Sequence, residues 1–224
     1  MRALTVKRRH AVAAAAALCG LLLTSCSSGA GGSDDKAKHA SPQEPKPLSA
    51  SQLQPLLLTQ QDLGTGYVQE LATTAPDNYD DVAMEGCPSL EKLGRDDAKL
   101  KFAANTDVSF TYDARATLGE ELHSDRPAVL SAKIREIFGA YTACSSFTMT
   151  SGTTPIKVKV SKSATPQVGD EQFAYTSTME LPSGPQILKT LAVRKGSVAV
   201  ILVGAPALVD RHITNAVNKL PKGR

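Results

Sequence analysis

The most definite chemistry in this 224-residue chain belongs to a cysteine near its start. Cys26 follows Leu23-Thr24-Ser25 and ends a segment that is first basic and then rich in Ala and Leu. That order is typical of a bacterial lipoprotein signal, after which an acylated cysteine becomes the first residue of the mature chain. Two acyl chains bind a bilayer stably, whereas one binds only reversibly. We therefore expect a lipoprotein signal peptide at residues 1–25 and a lipid anchor on Cys26.

An ordinary secretory signal, with Cys26 present by chance, is the alternative. A membrane-spanning helix is not expected, because the apolar run from Ala11 to Leu23 is shorter than the ~20 residues that a helix needs to cross a bilayer. Lipidation would place the protein on the outer face of the cytoplasmic membrane, with the bilayer as its first partner. Both interpretations export the chain.

Three further cysteines have different expected fates. Cys19 lies within the signal segment and would leave with it, so Cys87 and Cys144 remain as a pair in an oxidising compartment. A disulfide between them is the economical interpretation, and two free buried thiols are the alternative. A metal site is not expected, because neither cysteine has a histidine or a second cysteine at ligand spacing.

Ser89-Leu90-Glu91-Lys92 has the spacing that puts a lysine amine one helical turn from a serine hydroxyl. In penicillin-recognising enzymes that pair works with Ser-Asp-Asn and Lys-Thr-Gly motifs, which this chain lacks. An exposed serine and lysine on a helix is the favoured interpretation. We expect no catalytic residues, no metal and no cofactor, and keep an envelope hydrolase as the less favoured alternative.

Two polar motifs lie where predicted strands end. Gly169-Asp170-Glu171 begins one strand, and Arg194-Lys195-Gly196 ends another. Side chains at strand ends can share a cleft, so we take Asp170, Glu171, Arg194 and Lys195 as candidate ligand-binding residues. Gly-Asp and Lys-Gly pairs are equally typical of turns, which would account for the same residues without a ligand.

The charge of the chain bears on its partners. Residues 1–25 hold four basic residues and no acidic one, so the formal charge of +3 becomes −1 once they are removed. A near-neutral chain without a basic run has no field to attract nucleic acid, and nucleic-acid binding is not expected.

Periodicity predicts the elements that must position these residues. A helix is expected with Ser124 or Asp125 as its N-cap, Pro127 in its first turn and an apolar stripe that ends at Cys144, and another helix is expected after Pro206. Between them the pattern alternates, with Pro182-Ser183-Gly184-Pro185 and Lys195-Gly196 as turns, which predicts an antiparallel meander. The predicted fold class is therefore α+β, an antiparallel β-sheet with helices packed on it in a single domain. That domain is expected at residues 49–224, after a flexible tether rich in Ser, Gly and Pro at residues 26–48.

Several short motifs, taken in order, resemble the PknH-like extracellular sensor domain family. They are listed here: Leu56-Leu57-Leu58 with Asp62-Leu63-Gly64, Ala143-Cys144-Ser145-Ser146-Phe147, Val168-Gly169-Asp170-Glu171, and Val193-Arg194-Lys195-Gly196-Ser197-Val198. Members of that family occur as outer domains of actinobacterial receptor kinases and as free lipoproteins. The resemblance implies an α+β domain with a cleft for an unidentified extracellular ligand, two disulfides and conserved tryptophans. This chain has no Trp and can form only the Cys87–Cys144 bridge.

Together these observations predict a lipid-anchored extracytoplasmic ligand-binding or sensor module without enzymatic activity. Its partner would be an extracellular small molecule or an envelope component. A carrier of envelope lipid or glycolipid is the alternative, and it would require a large apolar cavity.

Overall fold

The computed structural model describes residues 44–70, 82–151 and 153–221. Cys26, the expected signal peptide and most of the expected tether lie outside these ranges and stay predictions. The described residues form one antiparallel sheet of nine strands, in the spatial order β1-β3-β4-β9-β8-β7-β6-β5-β2. The strands are β1 Tyr67–Gln69, β2 Val82–Glu85, β3 Ala104–Tyr112, β4 Ala116–Ser124, β5 Ser146–Ser151, β6 Thr154–Lys162, β7 Glu171–Leu181, β8 Gly184–Lys195 and β9 Val198–Gly204.

Five α-helices accompany this sheet in the described part of the chain. They are α1 Ala50–Leu53, α2 Gln60–Leu63, α3 Pro88–Arg95, α4 Pro127–Thr142 and α5 Pro206–Lys219. Short 3₁₀ turns follow α1 at Gln54–Leu56 and α3 at Asp97–Leu100. The two predicted long helices are confirmed, each with its proline in the first turn, where the missing N–H costs no hydrogen bond. The N-cap of the first is Arg126 and not Ser124 or Asp125, because β4 extends to Ser124.

The predicted fold class is wrong. Only α4 and α5 are longer than eight residues, and the nine-stranded sheet dominates the described residues in place of a balance between a sheet and a helical layer. The expectation failed because alternation of apolar and polar residues predicts single strands but not how many of them join one sheet. The nine-stranded sheet depends on pairings between strands far apart in sequence, such as β4 with β9.

Both faces of the sheet carry buried apolar residues, as the alternation along β9 illustrates. Val198, Val200 and Leu202 join a core with α5 and the segment 48–63. Ala199 and Ile201 point to the other face and join a core with α3 and α4. The first core is mostly aliphatic, and the second contains the contacting rings of Phe138, Phe173, Tyr175, Tyr141 and Phe147.

The predicted Cys87–Cys144 disulfide is confirmed. Cys87 precedes α3, Cys144 follows α4, and their Cα atoms are 5.9 Å apart. The bridge joins the two helices on one face of the sheet.

Candidate ligand-binding groove and its ion pairs

The predicted strand-end residues are brought together by the pairing of β7 with β8. Glu171 and Arg194 are direct partners in that register, and the N–H of Asp170 donates to the carbonyl of Arg194 at 2.8 Å. Gly169 permits this approach, since its φ is +71° and a Cβ there would lie 2.7 Å from the Arg194 carbonyl oxygen. The glycine therefore has a local structural reason that requires no ligand.

Arg194 is the centre of the network that follows. Its side chain is only 13% exposed, with Nε donating to Glu171 Oε2 at 2.7 Å and Nη1 to Asp170 Oδ2 at 3.0 Å. The same Asp170 oxygen accepts from the Gly196 N–H at 2.8 Å, which fixes the β8–β9 turn. The structure thus joins three of the four candidate residues. Lys195 is half-buried and makes no ion pair with any residue that the structure describes.

Glu171 also reaches α4 through its second oxygen. Oε1 accepts from Ser131 Oγ at 2.9 Å and from Arg135, whose Nε lies 3.1 Å away and whose Nη2 is closer still. Burial by itself would raise the pKa of this carboxyl, but the hydrogen bonds from Arg135, Arg194 and Ser131 outweigh it and lower the pKa to about 2. Glu171 is therefore a fully ionised link between the sheet and α4.

Sequence reasoning missed Ser131 and Arg135. They are spaced i, i+4 on α4 and so share one side of the helix, which is the only signal that the sequence offered. The partner on β7 is 36 residues or more away and could not be paired with them from periodicity.

Beside this network lies a groove of about 390 Å³, between the C-terminal half of α4 and the strands β6 and β7. Arg135, which pairs with Glu171, lines this groove, as do the three residues that follow Glu171 on β7. The lining residues are Arg135, Phe138, Gly139, Thr142, Lys162, Ser163, Thr165, Gln172, Phe173 and Ala174. Two cations and no carboxylate are among them.

A second, smaller cleft lies on the other side of α4. It measures about 200 Å³ and is lined by Ser89, Lys92, Leu93, Glu136, Gly139 and Ala140. The serine and lysine of the Ser-x-x-Lys motif therefore share a cleft with a carboxylate. All three polar side chains are exposed to solvent, as the sequence predicted for Ser89 and Lys92. Gly139 lines both the groove and this cleft.

Two further observations bear on metals and membranes. Among the residues that the structure describes, no three His, Cys, Asp or Glu side chains gather where they could hold a metal ion. Over the same residues, no helix has both the length and the apolar character needed to cross a membrane.

Comparison with known proteins gives a result at the level of the fold. No protein-family model matches the sequence, and no curated protein matches it. Among solved structures, the chain is similar to the extracellular domain of PknH from Mycobacterium tuberculosis, with a TM-score of 0.59 and 11% sequence identity. The match covers 78% of this chain and 97% of that domain. The described residues therefore have a PknH-like fold.

Proposed function

We propose that this chain is a lipid-anchored extracytoplasmic module that binds a ligand in the groove between α4 and β7 without turning it over. The observation that carries the proposal is the groove itself, which has a mixed lining and one edge held by the Glu171 ion pairs. A concave site with a few placed polar groups over apolar side chains is the usual form of a ligand site. The PknH-like fold adds support, because the matched protein is an extracellular domain.

The anchor part of the proposal is supported by the sequence around Cys26 and by the Cys87–Cys144 disulfide, which is typical of an exported chain. Cys26→Ala should give an uncleaved precursor or a protein released from the membrane. Retention of the variant through a carbonate wash, at the mass of the processed wild-type chain, would contradict the assignment.

The roles of the candidate residues follow from their contacts. Glu171 and Arg194 are proposed to position the start of β7, whose next residues, Gln172 and Phe173, contribute to the lining of the groove. Asp170 holds the adjoining turn, and Lys195 stands at its edge as a candidate contact. In this proposal Arg135, Lys162 and Phe173 touch the ligand itself.

The test is native mass spectrometry of the protein extracted from its own membrane. A co-purifying small molecule is expected on the wild type and should be lost when Phe173→Ala and Arg135→Gln are combined. The matched control is Lys157→Gln on β6, an exposed lysine outside the groove lining. A bound molecule retained by the double variant would show that the ligand lies elsewhere.

A serine hydrolase is the second candidate, favoured by the cleft that Ser89, Lys92 and Glu136 share. Such chemistry usually relies on a lysine that is desolvated in an apolar pocket, and Lys92 is exposed to water. Hydrolysis of an envelope ester or amide by the purified protein, lost in Ser89→Ala, would establish it. A lipid carrier is not favoured, because six of the ten groove residues are polar or charged.

A further inference from the structure

We infer that the groove takes an elongated, negatively charged ligand with an apolar portion, and that this ligand crosses α4 over Gly139 into the smaller cleft. The inference rests on the proposed function and names its ligand class. Groove and cleft would then be two ends of one site.

The charge of the groove lining points to an anion. The groove presents Arg135 and Lys162 without a carboxylate, whereas in the cleft Lys92 is balanced by Glu136. Arg135 shares Glu171 with Arg194, and Asp170 pairs with Arg194 alone. Lys162 has no acidic partner among the described residues, so its charge is available to a ligand.

The hydrogen-bonding groups of the groove point the same way. The Thr142 hydroxyl donates to the Phe138 carbonyl at 2.8 Å, and the Gln172 amide donates to the Val168 carbonyl. Those donors are already used within the protein. The Ser163 hydroxyl is hydrogen-bonded to the Thr176 hydroxyl at 2.6 Å. The side-chain donors left to face the groove are the Lys162 ammonium, the Thr165 hydroxyl and the Nη1 group of Arg135. A ligand that satisfies them must be rich in acceptors, as phosphate, sulfonate and carboxylate groups are.

The floor of the groove is apolar. Phe138 and Phe173 line it, with ring centroids 5.7 Å apart. An apolar part of the ligand would cover these side chains while its anionic group reaches Lys162. The lining therefore favours an amphipathic anion over a small inorganic one.

Gly139 supplies the passage between the two sites. Glycine within a helix destabilises it relative to alanine, yet here nothing lies within 4 Å of the position that a Cβ would take, and φ is not positive. Neither close packing nor backbone geometry therefore requires a glycine. What its missing side chain does provide is open space on α4, at the point where groove and cleft meet.

The test uses fluorescent anions of two lengths on the mature chain, residues 26–224, with Cys26→Ser to avoid detergent. Anilinonaphthalene sulfonate is the short probe, the bis-anilinonaphthalene disulfonate dimer is the long one, and uncharged phenylnaphthylamine is the matched neutral dye. We expect saturable binding of both anions. Lys162→Gln should weaken them about threefold, as for loss of an exposed ion pair, and leave the neutral dye unchanged. Lys157→Gln is the control lysine.

Crossing over α4 is tested by length. Gly139→Leu should weaken the long probe about tenfold, whereas Gly139→Ala should change it little, because only the larger side chain fills the passage. Lys92→Gln should weaken the long probe and leave the short one unaffected. Circular dichroism and thermal unfolding establish that each variant is folded.

The inference is overturned by absence of saturable anion binding, by equal effects of Lys162→Gln and Lys157→Gln, or by a long probe that ignores both Gly139→Leu and Lys92→Gln. These failures differ from failure of the proposed function. A membrane-extracted protein that carries an uncharged ligand in the groove would keep the proposed function and remove only the anionic ligand class.

Discussion

Glu120 on β4 and Glu171 on β7 are both largely withdrawn from water, and their pKa values move in opposite directions. Glu120 is 1% exposed and faces the aliphatic core under α5. Its Oε2 accepts from the Leu58 N–H at 2.6 Å, but its Oε1 has no partner. Burial is the main reason that the pKa of Glu120 is raised to about 7. The Leu58 hydrogen bond and the charge of Lys219 lower this pKa by smaller amounts, and the charge of Asp62 adds to the increase. Glu171, held by two arginines and a serine, has its pKa lowered to about 2.

The difference shows that burial alone does not decide the charge of a carboxyl. Two guanidinium groups supply the stabilisation that water would otherwise give to ionised Glu171. Glu120 has one backbone donor near it and no cation in contact, so the neutral acid is favoured. On the face covered by α4, Glu171 is therefore ionised. On the face covered by α5, the carboxyl of Glu120 titrates near neutral pH.

The largest expected effect comes from the disulfide, which reinforces the Glu171 face covalently. Replacing Cys87 and Cys144 by Ala should lower the free energy of unfolding by about 4 kcal/mol, because the unfolded chain regains the entropy of the loop between them. Chemical denaturation measures the loss. The pKa of Glu120, on the opposite face, should stay unchanged. Complete iodoacetamide labelling of both cysteines in unreduced, denatured wild type would contradict the bond.

The second prediction concerns the pH dependence created by Glu120. The pKa of Glu120 is higher in the folded state than in the unfolded state, so Glu120 stabilises the fold fully below about pH 4.5. That stabilisation is lost as pH rises to about 7, and the free energy of unfolding should fall by about 3 kcal/mol over this range. Glu120→Gln should abolish this part of the decline, measured as unfolding free energy against pH. Glu121→Gln, on the exposed neighbour that pairs with His123, is the control and should preserve the slope. An identical slope in both variants would remove Glu120 as its source.

The third prediction is that the stabilisation by Glu171 depends on pH with the opposite sign. Its pKa is lowered in the folded state, so its stabilisation is present above about pH 4.5 and is lost as pH falls toward 2. Glu171→Gln should cost about 2 kcal/mol at pH 7, because Arg194 and Arg135 lose a charged acceptor, and should cost little near pH 2. Glu180→Gln, on the same strand but in an exposed pair with Lys159, should have no measurable effect. Equal costs at both pH values would mean that the carboxyl does not act through its charge.

The smallest effect is expected at Gly139, in the helix that carries the donors to Glu171. Gly139→Ala should stabilise the protein by about 0.5–1 kcal/mol, since the new methyl group meets no atom and the helix gains propensity. Gly204→Ala on β9 is the contrasting control. The new Cβ would lie 2.2 Å from the Thr117 carbonyl oxygen, so this variant should destabilise the protein. Thermal unfolding ranks the two variants, and destabilisation by Gly139→Ala would show that its glycine is needed for folding.

Much of the local structure was predictable because it depends on neighbours in sequence. The prolines at 127 and 206 begin the two long helices, and Lys195-Gly196 turns β8 into β9 as expected. Thr59 and Asp62, three residues apart, form the capping box at the start of α2. Cys87 and Cys144 were paired by elimination once export was inferred, and the structure joins them. The fold class was not predictable in this way, since the proportion of sheet to helix depends on how many strands join one sheet.

The sequence by itself determined the candidate anchor at Cys26, the strand-end motifs and the cysteines available for a bridge, because each depends on residue type and short spacing. Only the tertiary structure decided which charges meet. Arg194 and Glu171 were both visible as strand-end residues, but Arg135 and Ser131 reach Glu171 only because α4 packs beside β7. Glu120 lies next to the exposed Glu121 in sequence, and only the sheet and segment 48–63 bury it. Burial and partner geometry arise from long-range packing, and these set the charge of a carboxyl.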